Sequence, residues 1–194
     1  MTESAVKRRH VLLTTSRRPT QHMRTFCRDL SHTFPTVIRI NRGKLSLEGI
    51  LEKALELDAE KVMIIERWNE GAVQILLFEV EQETLKPVQS PLYVRNVRFR
   101  REFAKNASKV RRIKSVAIVA SQDESSEIRQ LENLLSNFLG IPILSVKEVA
   151  NNDYDCVMQI LKDSPSTILI TFRLIPEYVE IGPQIRLLQL ANAD

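Results

Sequence analysis

Hydrophobic positions along this chain follow two rhythms, and the change from one to the other lays out the elements. His10-Val11-Leu12-Leu13-Thr14-Thr15 is a short apolar run compatible with a strand. Pro19 then suits the first turn of a helix, where its missing N–H costs nothing. Met23, Phe26, Leu30 and Phe34 follow at helical spacing. Val37-Ile38-Arg39-Ile40 reads as a strand and Asn41-Arg42-Gly43-Lys44 as a turn. Ser46 is placed to cap a second helix with Leu47, Ile50, Leu51, Ala54 and Leu55 on its apolar face. Lys61 to Trp68 and Ala72 to Val80 are two more strands, with Asn69-Glu70-Gly71 as the hairpin turn between them. Leu92 to Phe99 reads as a strand followed by a short helix.

The second half runs through the same order. A shift of 105 sets Val11 on Val116, Leu13 on Ile118, Ser16 on Ser121, Met23 on Ile128, Phe26 on Leu131, Leu30 on Leu135 and Phe34 on Leu139. At 106, Val37 meets Ile143, Ile40 meets Val146, Leu51 meets Val157 and Leu55 meets Leu161. The same shift drops Val62, Ile64 and Ile75 on Ile168, Ile170 and Ile181. A register held across several elements with one insertion predicts an internally duplicated α/β protein. Each copy is then a β-α-β-α-β-β unit burying a sheet beneath helices. The halves are expected at about 10–94 and about 115–194, with a basic connector at about 95–114.

Charge changes the picture, because it is split between the halves. Met1 to Ser115 holds 23 Lys and Arg against 13 Asp and Glu; Val116 to Asp194 holds 5 against 11. A first half near +10 and a second near −6 point to a polyanion-facing side, the alternative being an ordinary solubilising surface. The connector alone has nine cations, from Arg95 to Lys114, and one acid, Glu102. No apolar run is long enough to span a bilayer. The charged start has no apolar stretch of a secretory signal, so a cytoplasmic protein is expected. Cys27 and Cys156 have no metal-ligand spacing, and neither do His10, His22 and His32. No metal or cofactor is expected. Nucleophile-elbow, zincin and dinucleotide motifs are all missing, so no catalysis is expected either.

Thr14-Thr15-Ser16-Arg17-Arg18-Pro19-Thr20, then Phe26, then Asn41-Arg42-Gly43, resembles the opening of the Brix domain. Glu180-Ile181-Gly182-Pro183 resembles that domain's closing motif, so the two bracket nearly all of residues 1–194 as a single Brix domain. The family motif often continues with arginine after the proline, whereas here Gln184 follows and the arginine comes at Arg186. The compact length is similar to the single-domain archaeal members. The resemblance implies ribosome biogenesis and contact with pre-ribosomal RNA. It implies two halves that each resemble the anticodon-binding domain of class II aminoacyl-tRNA synthetases. The alternative function is a tRNA-binding accessory module of that type. Basic ribosomal proteins or other assembly factors are the expected protein partners, suited to the acidic second half.

Ser16 to Thr20 joins a strand to a helix N-terminus, where free backbone N–H groups favour an anion. Ser16 and Thr20 add hydroxyls, and Arg17 and Arg18 add planar donors for phosphate. Arg24 and Arg28 lie one turn apart on the helix; Arg39, Arg42 and Lys44 extend the surface. Arg98, Arg100 and Arg101 of the connector complete the expected RNA-binding set. A solvated basic face is the competing reading of all of these. Pro19, Gly43, Gly182 and Pro183 are expected to be structural: Gly43 takes positive φ in its turn, and Gly182-Pro183 bends the chain beside a terminal strand. Glu180 is read as solvated, or paired with a cation of the other half. Cys27 is read as a small core residue. Trp68 is read as packing, with stacking on a base as the alternative.

Overall fold

Alternation within the first strand decides which helix covers which side. In β1 (His10–Thr15), Val11 and Leu13 point into one buried layer and Leu12 into another. The computed structural model describes residues 10–69, 71–103, 112–122, 125–151 and 153–188. Lys105, Lys109 and Arg111 of the basic connector, and Glu70 of the hairpin turn, lie outside the described residues.

Helix α1 (Gln21–Thr33) lays Met23, Phe26, Cys27 and Leu30 on the Val11/Leu13 side. Its Thr20 cap accepts a hydrogen bond from the Met23 N–H at 3.3 Å. Pro19 therefore precedes the cap and does not sit in the first helical turn, as the sequence had suggested. After β2 (Val37–Arg39), α2 (Leu47–Glu56) is capped by Ser46 and covers the Leu12 side. Only Ile50 and Ala54 of α2 are buried; Leu47 and Leu55, expected on its apolar face, are about half exposed. Residues four apart starting at Leu47 fall beside the buried pair, not beneath it, because the 3.6-residue turn carries them round to the solvent flank.

β3 (Ala59–Arg67) and β4 (Val73–Glu81) form the expected hairpin, followed by β5 (Thr84–Pro87) and β6 (Leu92–Arg98). A 3-10 turn (Arg100–Phe103) ends this half. The second half brings β7 (Val116–Val119), α3 (Ser126–Leu139), β8 (Ile143–Leu144) and α4 (Val146–Ala150). It continues through β9 (Cys156–Ser164), β10 (Thr167–Leu174), β11 (Val179–Glu180) and β12 (Gln184–Leu188). All strands join one mixed sheet in the order β2-β1-β3-β4-β6-β12-β10-β9-β7-β8, with β5 on β4 and β11 on β10. β6, placed partly in the connector by the sequence, is an integral strand between β4 and β12.

The two halves have the same element order, but not at the offset read from the sequence. Leu13 pairs with Met63 and Ile118 with Met158. Ile65 pairs with Ile75 and Ile160 with Ile170; Ile75 pairs with Leu92 and Ile170 with Ile185. Leu13 thus corresponds to Ile118 at 105, but Met63 corresponds to Met158 at 95 and Leu92 to Ile185 at 93. The second half is about ten residues shorter between β8 and β9, where α4 has 5 residues against 10 in α2. The shift of 106 set Leu51 and Leu55 of α2 on Val157 and Leu161, which lie in strand β9, and set β3 on β10. Adjacent strands share a two-residue apolar period, so a slip of one whole strand still matches apolar to apolar.

One core runs through both halves. α1 and α3 share a cluster with β3, β4, β9 and β10, and Phe34 meets Phe172 edge to face at 5.4 Å. The Thr36 hydroxyl donates to the Leu139 carbonyl at 3.2 Å, and the Lys61 ammonium donates to the Asn137 carbonyl.

Candidate nucleic-acid interface

The carboxyl ends of β1 and β2 lie side by side, and the loops that leave them form the walls of a cleft. In open α/β sheets ligands settle outside the strand ends in this way. The cleft encloses about 440 Å³ and is lined by Arg17, Arg24, Arg39 and Arg42, with Cys27 among its other lining residues and no acidic residue. Pro19 and Gly43 also line it.

Arg42 is the brace of this arrangement. It is only 8% exposed. Its Nε donates to the Leu45 carbonyl at 2.8 Å and its Nη1 to the Thr15 carbonyl at 3.4 Å, tying the end of β1 to the loop after β2. Burial, and then the nearby Arg17 guanidinium, lower its pKa from the usual arginine value, while Glu66 opposes the shift. Arg17 also donates to the Leu45 carbonyl, at 3.4 Å, from an exposed position. Gly43 has φ +53°, and a Cβ there would meet nothing within 4 Å. The glycine serves the turn's left-handed backbone, as read from the sequence.

Helix α1 adds its own field. Its first turn has no acidic residue, so no carboxylate of its own offsets the dipole. Arg24 and Arg28 are exposed on its outer side while Met23, Phe26 and Leu30 are buried. Arg28 lies 3.8 Å from the buried Asp29 carboxylate. Ser16 is half-buried, and its N–H donates to the Ile65 carbonyl at 2.9 Å. Arg18, Thr20 and Lys44, chain neighbours of the lining residues Arg17, Pro19 and Gly43, are exposed. The Thr20 hydroxyl is occupied as the helix cap. Cys27 is buried, and burial pushes its thiol up to about 12, away from the reactive thiolate. Cys156 is likewise buried and pushed up to about 12.

The connector arginines are not part of the cleft. Arg98 lies over the Phe103 ring at 4.2 Å and Arg101 over Phe99 at 5.5 Å, both exposed. Arg100 turns inward. Its backbone N–H donates to Asp29 Oδ2 at 2.9 Å, and burial lowers its pKa against the pull of Asp29 and Cys156. Gly182, between β11 and β12, packs on the same turn: φ is +63°, and a Cβ would come 2.8 Å from the Phe103 ring. Pro183 is buried beside it. Glu180 accepts from the Gln184 amide at 2.9 Å, within its own half. Arg186 pairs with Asp163 at 3.0 Å.

At the corresponding place in the second half a carboxylate stands where the first half has a thiol. Glu132, 105 residues after Cys27, is 5% exposed and accepts from the Ser121 N–H at 2.7 Å. Helix α3 carries Glu127 in its first turn. In α4 the Ser145 hydroxyl and N–H hold the Glu148 carboxyl below its ordinary pKa. An anion is disfavoured there for the reason it is favoured at the first cleft.

Sequence reasoning grouped Arg39 and Arg42 with Arg24 on one surface but missed that Arg42 is buried, since burial has no local signature. It also passed over an aromatic strip on the other side of α1, where His22, Trp68, Tyr93 and Phe99 come together. Among the described residues no group of three or more His, Cys, Asp or Glu could hold a metal ion, and no helix is long and apolar enough to cross a membrane.

The architecture and the cleft define a class: a mixed α/β protein on one large sheet, with a cationic crevice at the ends of parallel strands. Comparison with known proteins places it more closely. No family model matches the chain. The crystal structure of a probable ribosomal biogenesis protein from Aeropyrum pernix superposes with a TM-score of 0.73 at 21% identity, covering 94% of this chain and 97% of that one. A probable Brix domain-containing ribosomal biogenesis protein of Pyrococcus horikoshii is 26% identical over 186 residues, 90% of this chain and 81% of its own length. One from Thermococcus kodakarensis is 30% identical over 92 residues, 47% of this chain and only 44% of its own length. Over most of its length the chain is thus similar to archaeal Brix domain-containing ribosomal biogenesis proteins, and it shares the fold of the Aeropyrum pernix structure.

Proposed function

We propose that this protein is a cytoplasmic ribosome biogenesis factor that grips pre-ribosomal RNA by its phosphates and performs no catalysis. The cleft carries the reading: four arginines, from two loops, one helix and the end of strand β2, face a common space with no acid in its lining. Guanidinium groups match phosphate oxygens with paired donors, and such contacts fix position on folded RNA rather than read its sequence. The names of the archaeal relatives supply the ribosomal context. The matching ladder registers of the two halves support their descent from one duplicated unit, of the anticodon-binding type. In this proposal the first copy kept the RNA site. The second, with Glu132 in place of the thiol, turned to proteins, and its acidity suits a basic ribosomal protein or assembly factor.

The experiment is paired. Arg17→Ala with Arg24→Ala is compared with Arg129→Ala with Lys147→Ala, each assayed on ribosomal RNA fragments and on tRNA, with melting temperature as the folding control. The first pair should weaken ribosomal RNA binding by about tenfold or more, since each lost charge-assisted hydrogen bond costs roughly 1.5–3 kcal/mol. The second pair should change it little. Equal losses would mean that both halves hold the RNA. Wild-type preference for tRNA would favour an accessory module of the tRNA-binding kind.

A further inference from the structure

Around the N-terminus of α1, on the side away from the arginine cleft, two depressions of about 430 and 250 Å³ adjoin. They share His22, Met23, Gly71 and Val73 in their walls. Thr20 opens the larger one, and its neighbour Pro19 lines the arginine cleft, so one helix end separates the two sites by a single residue.

The chemistry of this groove differs from that of the cleft. Trp68 stands just past β3, half-buried, in the hairpin that leaves the sheet. Its backbone N–H donates to the Ala72 carbonyl at 3.2 Å, and its ring lies against Tyr93 with centroids 4.2 Å apart and planes tilted by 50°. One side of the indole is thus backed by an aromatic ring, and the indole also lines the larger depression. His22 meets Phe99 edge to face at 5.6 Å in the smaller one. Exposed Arg67, Arg95 and Arg101 border the strip. Glu102 is its acidic member, and its carboxylate is engaged by the Phe99 N–H at 2.6 Å.

We propose that this groove takes nucleobases of a single-stranded RNA segment, stacked on Trp68 and His22, while the adjoining phosphates lie in the arginine cleft. The inference rests on the RNA-binding reading above and adds a substrate class to it: unpaired rather than duplex RNA. Indole and imidazole faces accept any base, and bordering arginines hold the backbone, which is the combination single-stranded binders use. A duplex keeps its bases stacked on one another and offers none to the groove.

The chain has one tryptophan, so its fluorescence reports on this groove alone. The full chain is titrated with oligoadenylate, with an abasic ribose-phosphate chain of equal length, and with an RNA duplex; fluorescence and affinity are recorded separately. Oligoadenylate should quench the tryptophan, whereas the abasic chain and the duplex should bind with little quenching. Trp68→Ala should weaken oligoadenylate about tenfold and leave the other two unchanged, and Trp68→Phe should keep most of the affinity, as stacking on any ring predicts. Equal quenching by the abasic chain, or equal weakening of all three ligands by Trp68→Ala, overturns the groove while leaving the phosphate cleft standing. Failure of all three ligands to bind the wild type removes both. The first comparison needs no variant and so does not depend on how Trp68→Ala folds.

Discussion

Replacing the hydrogen of Gly182 by a methyl group would drive it into the Phe103 ring, at 2.8 Å, with the backbone at φ +63°. Neither partner has room to give: Phe103 is buried, and Arg98 lies over its ring at 4.2 Å. Gly182→Ala should therefore destabilise by about 1–3 kcal/mol, combining left-handed strain with overpacking. A denaturant midpoint unchanged from wild type would mean that the 3-10 turn simply shifts. The sequence had marked this glycine as structural, but not its reason. Phe103 stands 79 positions away along the chain, and only the fold makes it a neighbour. The same limit applies to Arg42. Its sequence context is that of an exposed turn residue, yet its guanidinium is spent on the carbonyls of Leu45 and Thr15. Of the expected RNA-binding residues, Arg42 and Arg100 are the two that burial has drawn inward.

At the scale of elements, α1 was the clearest segment in the sequence, because one apolar stripe at helical spacing opposes two arginines one turn apart. The helix also carries a titratable reporter of its own charge. His32, in its last turn, has a pKa lowered first by burial and then by Arg100, with Arg28 and Arg39 adding and Asp29 opposing. As pH falls below the usual histidine range near 6.5, the unfolded chain takes up this proton before the folded one. His32 thus costs stability progressively as pH drops toward its folded value, and contributes nothing above that range. Phosphates near Arg28 and Arg39 would cancel part of the repulsion and raise the pKa again, so binding would draw in a proton. RNA affinity should rise between about pH 7.5 and about pH 6, and His32→Gln should flatten part of that rise. A pH profile identical in wild type and variant would show that bound phosphates stay away from the outer side of α1. The short α4 is the contrasting element. With 5 residues it gave no helical period strong enough to fix the register, and the strand pattern that followed was misaligned by a whole strand.

For the whole molecule, the split between a half near +10 and a half near −6 sets the dependence on salt. If the cleft and its rim neutralise about five phosphates, log K against log salt should have a slope of about −3.5 to −4.5, at roughly 0.7–0.9 per phosphate. Filter binding or fluorescence anisotropy from low to moderate salt measures it, and a flat response would leave the basic half as a solubilising surface. The split in charge is not a split in folding. Phe34 on Phe172, Thr36 on Leu139 and Lys61 on Asn137 close one core across both halves. The two ladders meet where β6 and β12 pair, with Val94 opposite Leu187.

The sequence by itself determined the main element types of the first half, the family motifs at the two ends and the half in which positive charge gathers. These are local or additive properties: period, capping and composition can be read without knowing what lies near what. Only the tertiary structure decided the register of the second half, the joining of all strands into one sheet, and the meeting of four arginines around a single cleft. It also decided that Arg100 turns inward and that Trp68 backs onto Tyr93. Each of these depends on contacts between residues far apart in the chain, and such contacts are selected by packing, which the order of residues alone does not display.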